Sequence, residues 1–320
     1  MLKRTSFLSL LPVMFCMALP AGADSFPVTV TDDRGEQVSF EHQPERVVAL
    51  WTPAADLMVA LGRPVTGVTT YEAKMPVYLG DALDGVMDLG DITAPNLEML
   101  ASSDIDLTIG MTSYNAPYAE QIEHFSRFLT FDSYRLEDAL KSVLTLGTAL
   151  GAQAETQKLD EAFSALMQEY GARAPKEGRE VMVIWSFQDT LYGYQDGLTA
   201  TDIIGALGTV NPLGMLADRE SPDTGFIVLE TEDLLAHDPD AILMFISHGG
   251  TPKYSPAYER LKAYKNGQFY SVGYQYSQPS GPIARELVLR EAAHLIYPEV
   301  FDAPDMPEVA RAVPVTFEGQ

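Results

Sequence analysis

The stretch that decides the fold is "NLEMLASSDIDLTI", residues 96–109, because its pattern returns as "ETEDLLAHDPDAIL" at residues 230–243. Aligned without gaps, Glu98 meets Glu232, Leu100 meets Leu234, Asp104 meets Asp238 and Asp106 meets Asp240. Each copy reads as a short helix, an Asp-x-Asp turn and an apolar strand. A carboxylate in the first turn suits any helix, because the backbone dipole favours it there. Two at matching positions imply something more: a pair of acidic groups, one in each of two like halves, facing a partner with two basic sockets.

Outward from the first copy, short apolar strands alternate with helices. "FPVTVTDDRGEQVSF" (26–40) alternates about an Asp-Asp-Arg-Gly turn and reads as a hairpin. "RVVALW" (46–51) and "VTGVTT" (65–70) are buried strands. Between them "PAADLMVALG" is a helix closed by Gly62. Residues 116–128 read as a helix and "FLTFD" as a strand. This grammar gives an α/β lobe with a mostly parallel sheet.

The pattern changes between Leu136 and Arg173. Leu136, Leu140, Val143, Leu144, Leu146 and Leu150 lie on one helical face, and Leu159, Phe163, Leu166 and Tyr170 on another. The second helix, from about residue 152 to 173, would span about 33 Å. Alternation then resumes: strand "EVMVIWSF" (180–187), helix "TATDIIGALG" (199–208), the second copy, helix "SPAYERLKAYKNG" (255–267), strand "QFYSVG" (268–273) and a last long helix from Pro282. The expected division is a leader at 1–23, a first lobe at 24–133, connecting helices at 134–175 and a second lobe at 176–320.

The leader is expected because Lys3 and Arg4 precede an apolar run at 7–19 and a small-residue site ending at Ala23. Cleavage after Ala23 would place the product in the periplasm. Cys16 follows the bulky Phe15, which does not suit lipid attachment. Cys16 is the only cysteine of the 320 residues, so a processed chain could form no disulfide and could do no thiol chemistry. The formal charge is -24 and becomes -26 once Lys3 and Arg4 are removed. That balance argues against nucleic acid or an anionic membrane as partner. It serves solubility, or attraction to a basic surface.

"RVVALWTPAADLMVALG", "NLEMLASSDIDLTIG", the long helix and "LETEDLLAHDPDAILMF", in that order, resemble the periplasmic substrate-binding proteins of ABC importers for ferric siderophores, haem and cobalamin. The resemblance runs from about residue 26 to 301. It implies two α/β lobes joined by one rigid helix, with ligand held in the cleft between them and only slight closure. It also implies a docking pair, Glu98 and Glu232, that engages arginines on the two subunits of an ABC permease. The carrier is expected to act as a monomer, with no intrinsic cofactor.

In that fold the loops at the carboxyl ends of the strands line the cleft. They hold 51–53, 71–75 and 111–114 in the first lobe. In the second they hold 185–188 with Tyr192 and Tyr194, then 219–226, 247–248 and 274–280. The candidate ligand residues are Trp51, Thr52, Tyr71 and Tyr114 from the first lobe. From the second they are Trp185, Tyr192, Tyr194, Arg219, His248, Tyr274 and Tyr276. Aromatic groups offer rigid area to a bulky organic ligand, although strand-end aromatics equally serve a core. "YGYQDG" and "GYQYSQ" read as loop-borne tyrosines.

Cations are few, Lys74, Arg219 and Lys253, whereas relatives that take anionic catecholates or citrate present several arginines. The expected cargo is therefore an iron chelate of the hydroxamate type, with a haem or cobalamin carrier as alternative. His248 would be the one axial candidate for haem. No direct metal site is expected, because the five histidines are scattered. The alternative of another class is a periplasmic α/β hydrolase using Asp189, Asp196 or His248. No nucleophile elbow, P-loop, dinucleotide fingerprint or His-Glu-x-x-His supports it.

Overall fold

The structure, a computed structural model, describes residues 26–71, 74–214, 225–247 and 255–316. In chain order, a hairpin of β1 (Val28–Thr31) and β2 (Gln37–Phe40) leads to β3 (Val47–Ala49), α1 (Thr52–Ala60), β4 (Gly67–Thr70) and β5 (Met87–Asp91). Then come α2 (Leu97–Ser102), β6 (Leu107–Met111), the single turns α3 (Thr112–Asn115) and α4 (Ala119–Ile122), and β7 (Arg127–Phe131). Two helices follow, α5 (Leu136–Ala149) and α6 (Gln153–Arg173). The second half holds β8 (Val181–Phe187), β9 (Thr190–Tyr194), α7 (Thr199–Gly205), β10 (Phe226–Leu229), α8 (Thr231–His237) and β11 (Ala241–Ile246). It closes with α9 (Lys262–Lys265), β12 (Phe269–Val272), α10 (Pro282–Ile296) and β13 (Val313–Pro314).

Two sheets result. The first, β5-β4-β3-β6-β7, is wholly parallel. The second, β10-β9-β8-β11-β12-β13, has a parallel centre of β8, β11 and β12 with antiparallel strands outside it. Their central strands, β3 and β6 in one and β11 in the other, are buried on both faces, and the strand period of two sorts each run into two cores. Val47 and Ala49 of β3 join one apolar cluster, while Val48 and Leu50 join another. In β11, Leu243 and Phe245 face one cluster and Ile242 and Met244 the other. Each such fully buried aliphatic chain contributes about 1.5–3 kcal/mol.

The repeated phrase does the same structural work twice. In the first copy, the Asp106 carboxylate accepts the backbone N–H groups of Glu45 (3.0 Å) and Arg46 (2.8 Å), and Asp106 N–H donates to Arg46 O at 2.9 Å. In the second, Asp240 accepts the N–H of Glu180 at 2.9 Å and donates its own N–H to Glu180 O at 2.9 Å. Each aspartate thus staples the start of its strand to the neighbouring central strand. A cation completes each staple, Arg46 at 2.8 Å and Lys262 at 2.9 Å. Burial acts to raise both carboxyl pKa values, but these hydrogen bonds outweigh it and hold them below the ordinary range.

Three expectations from sequence differ. Residues 116–128 do not form one helix: a 3₁₀ turn at Ala116–Tyr118 and the single turn α4 end at Ile122, and β7 has begun by Arg127; just before them buried Asn115 accepts Met111 N–H at 2.9 Å and donates to Ile92 O at 2.7 Å. Residues 255–267 break at Leu261, which is extended (ψ 139°), so that Lys262 N–H can meet Asp238 Oδ1 at 2.6 Å. Tyr192 and Tyr194 lie on strand β9 rather than in a loop. Gly193 between them is required by packing: a Cβ there would stand 2.4 Å from Leu213 and 2.8 Å from Leu229.

Several elements join the lobes. Helix α6 passes from one core to the other, with Leu159 against the first-lobe cluster and Phe163 and Tyr170 in the second. Helix α10 does likewise, with Ala284 and Leu287 in the first cluster and Val288 and Ala292 in the second. Buried Arg285 of α10 pairs with Asp160 of α6 and lies 4.9 Å over the Phe163 ring.

Helix α1 is fastened to the second half by two residues one turn apart. Thr52 Oγ1 lies 2.7 Å from Tyr274 Oη. The Asp56 carboxylate accepts the N–H groups of Ile283 (2.7 Å) and Ala284 (2.8 Å) at the first turn of α10, and the Tyr78 hydroxyl at 3.0 Å. Gly281 permits this approach, since a Cβ there would meet the Asp56 carboxyl carbon at 2.3 Å.

Candidate functional site

A cavity of about 540 Å³ lies between the carboxyl edges of the two sheets. From the first sheet, Trp51 follows β3, Tyr71 follows β4, Met111 ends β6 and Tyr114 follows it, and Ser133 and Tyr134 follow β7. From the second, Trp185 and Phe245 come from β8 and β11, Tyr192 and Tyr194 from β9, and Phe226 and Val228 from β10. Leu198–Ala200 at the start of α7 and Ser277–Ser280 before α10 close the floor. The size falls within the range of small-molecule sites.

Strand register makes the second-lobe wall a flat apolar face. Trp185 pairs across the sheet with Tyr192, and Tyr192 with Val228. Tyr194 pairs with Phe226. The rings are packed: Trp185 on Tyr192 at 4.9 Å and 29°, and Phe226 edge-on to Tyr194 at 4.8 Å. The first-lobe side carries Tyr71 and Tyr114, 6.4 Å apart, and Trp51, 5.7 Å from Phe131.

None of the described lining residues carries a charge. Its hydroxyls are largely committed within the protein. Ser133 Oγ donates to Ser280 Oγ at 2.9 Å, Thr199 Oγ1 to Tyr134 O at 2.9 Å, and Ser277 Oγ to Tyr274 O at 2.9 Å. The Trp185 indole N–H donates to Ser247 Oγ at 3.0 Å. Burial pushes the Tyr134 hydroxyl above its ordinary value of 10.0, so it stays protonated at neutral pH.

Six candidates from the sequence therefore border one cavity: Trp51, Tyr71, Tyr114, Trp185, Tyr192 and Tyr194. Thr52, Tyr274 and Tyr276 stand behind it. Tyr274 and Tyr276 are 3% and 0% exposed, packed in the cores as a helical turn rather than displayed on a loop. Arg219 and His248, like Lys253, lie outside the described residues. Lys74 donates to Ile246 O and stands 5.0 Å over the Phe245 ring. Asp189 and Asp196 do not line the cavity. Among the described residues no group of three His, Cys, Asp or Glu side chains could hold a metal.

Ser133, Tyr134, Thr199 and Phe245 were not singled out from sequence. The rule that strand carboxyl ends face the cleft, applied to "FLTFD" as well, finds Ser133 and Tyr134; Phe245 lies within β11 and Thr199 on α7.

Glu98 and Glu232 are both exposed, each the second residue of its helix. Asn96 caps α2 by accepting Met99 N–H at 3.0 Å, and Glu230 caps α8 with Asp233 returning the bond at 2.9 Å. Helix α2 begins beyond the carboxyl end of β5. Helix α8 follows β10, whose direction is that of β8 because two antiparallel pairings separate them. Each glutamate thus stands at the edge of its sheet that faces the cavity.

Two lobes of this topology, a cavity between their carboxyl edges and α6 running between the cores match a known family. Its description, "Periplasmic binding protein", fits residues 47–276. The chain belongs to the periplasmic binding protein family. Among curated relatives of this periplasmic binding protein is a putative ABC transporter substrate-binding lipoprotein, YhfQ, of Bacillus subtilis (strain 168). It is 25% identical over 77% of this chain and 80% of its own length. The Fe(3+)-citrate-binding protein YfmC of the same organism is 23% identical over 76% of this chain and 78% of its own. In fold, the chain is similar to the triscatecholate siderophore binding protein FeuA of Bacillus subtilis, solved with ferri-bacillibactin. That match has a TM-score of 0.71 at 15% identity and covers 85% of this chain and 98% of that one. Members of the family are transport binding proteins, not enzymes. No helix among the described residues is long and apolar enough to cross a membrane.

Proposed function

We propose that this protein is a periplasmic carrier that captures an iron chelate, of the hydroxamate siderophore class, and delivers it to an ABC permease. The observation that carries the reading is the cavity: interlobal, walled by nine aromatic side chains, and without a charged group among its described residues. Relatives named for Fe(3+)-citrate and for achromobactin support an iron chelate as the cargo. The lack of charge among the described lining residues favours a chelate whose outer surface is neutral, because an anionic one would be desolvated against them without a counter-ion.

In this reading Trp51, Tyr71, Tyr114, Trp185, Tyr192 and Tyr194 touch the ligand. Thr52, Tyr274 and Tyr276 support them from behind. The lobes are 24–133 and 176–320, connected by 134–175, and the leader is removed after Ala23. The carrier works as a monomer. Glu98 and Glu232 dock it onto two basic sockets of the permease. Exposed ion pairs contribute only about 0–1 kcal/mol each, but they steer and orient, which suits a carrier that must also leave.

Titrating the purified protein with ferric hydroxamates, ferric catecholates, ferric citrate, haem and cobalamin, and following intrinsic fluorescence, tests the cargo. Tight binding of hydroxamates alone is expected. A preference for citrate or haem overturns the class assigned. Glu98→Arg with Glu232→Arg should abolish uptake in cells while leaving binding in solution unchanged; undiminished uptake refutes the docking role.

A further inference from the structure

The floor of the cavity holds one polar side chain with an unmet need. Gln278 borders the cavity as a half-buried residue, while its Oε1 is turned away from the open space and has no hydrogen-bond donor among the described residues. Leaving a buried amide oxygen unpaired is unfavourable, and such atoms in folded proteins ask for a partner. The neighbouring polar groups do not supply one. Ser277, Ser280, Ser133 and Thr199 direct their hydroxyls to backbone oxygens or to one another.

The platform under Gln278 is fixed. It precedes Pro279, which restricts its backbone to extended conformations. Pro279 and Ser280 are buried, and Ser280 is bonded to Ser133 of the opposite lobe. The freedom left is in the side chain, whose terminal torsion is soft and two-fold. A turn about it brings either the carbonyl or the NH₂ edge toward the cavity. A primary amide so placed offers one donor and one acceptor and no charge. Its chemical complement is another amide, with an N–H and a C=O side by side.

We infer that Gln278 is a specificity-determining residue that pairs with a secondary amide on the bound chelate. The cavity is therefore suited to amide-linked hydroxamates over chelates without an amide N–H, ferric citrate among them. This rests on the carrier function proposed above and narrows it.

The test compares two ferric probes. Ferrioxamine E carries three amide links between its hydroxamates, while ferric tris(N-methylacetohydroxamate) carries no N–H. Affinities are measured by fluorescence for the wild type, Gln278→Leu and Gln278→Met, with thermal unfolding to confirm folding. Wild type should prefer ferrioxamine E. Both variants should weaken ferrioxamine E by about 5- to 150-fold, the loss of one hydrogen bond at a buried site, and leave the N-methyl chelate within about twofold. Unchanged affinity for ferrioxamine E overturns the assignment. So does an equal loss for both probes, which would mean that Gln278 only fills space. If the wild type takes neither probe, the hydroxamate reading fails and the Gln278 assignment falls with it. If the wild type takes both and the variants match it, the Gln278 assignment alone falls.

Discussion

Replacing Asp56 by Asn should change how stability depends on pH, in a direction opposite to most carboxylates. Asp56 is fully buried, and its carboxyl is pushed up from 3.8 to about 6. Burial is the main cause; the N–H groups of Ile283 and Ala284, the Tyr78 hydroxyl and the Arg285 charge offset it only in part. A folded-state value above the unfolded one means that the folded protein binds the proton more tightly. The contribution of this group is therefore fully present below 3.8 and is lost as pH rises through 6. At about 1.4 kcal/mol per tenfold change in proton affinity, ionising Asp56 inside the fold costs about 3 kcal/mol at pH 7 and under about 1 kcal/mol at pH 4. Asparagine keeps the shape and one acceptor but cannot ionise. The gap in unfolding free energy between wild type and Asp56→Asn should shift by about 2 kcal/mol between pH 4 and pH 7, with wild type losing ground as pH rises. Urea unfolding of both proteins at each pH measures it. A gap that stays flat, or moves the other way, refutes the claim that burial dominates the hydrogen bonds at this carboxylate.

Other outcomes follow from contacts already described. Gly281→Ala should destabilise by about 1–3 kcal/mol by driving a methyl group into Asp56, visible as a lowered midpoint of thermal unfolding. Asp240→Ala should cost about 1–3 kcal/mol, because the Glu180 N–H beneath it loses its acceptor; an unchanged denaturation midpoint would count against the staple. In acid, Asp106 and Asp240 work against Asp56: their lowered carboxyl pKa values mean stability present above the unfolded value and lost as pH falls through the folded one. Trp185→Ala should reduce ligand-induced quenching, leaving the share of Trp51, and weaken the chelate by about 10-fold or more, the worth of a stacked aromatic, whereas Tyr276→Phe, deep in the core, should leave affinity unchanged.

The lobes and the matching phrases were legible in the sequence because both rest on local patterns. Val47 to Leu50 and Ala241 to Ile246 are apolar without a gap, and that alone specifies strands buried on both faces. What stayed hidden depends on partners distant in the chain. Asp56 sits in a helix whose sequence gives no hint of burial; its partners lie 227 and 228 residues further on. Tyr274 and Tyr276 look like loop tyrosines until the cores on either side are seen to enclose them. Gly193 reads as a loop breaker, yet it is a strand residue whose missing side chain makes room for Leu213 and Leu229. The aromatic wall is a matter of register: pairing Trp185 with Tyr192 rather than a neighbour is what puts four strands' worth of alternation onto one face.

The seam between α1 and α10 has a consequence for the thermodynamics of loading. A jaw that swings freely when empty surrenders that freedom each time it fills, and the loss is subtracted from its affinity. Here Thr52 and Asp56 have stitched the halves together before any cargo arrives. Filling such a pre-set vessel asks only for the settling of a few rings and one amide. Its heat-capacity change should accordingly report desolvated cargo and wall, with little from the scaffold.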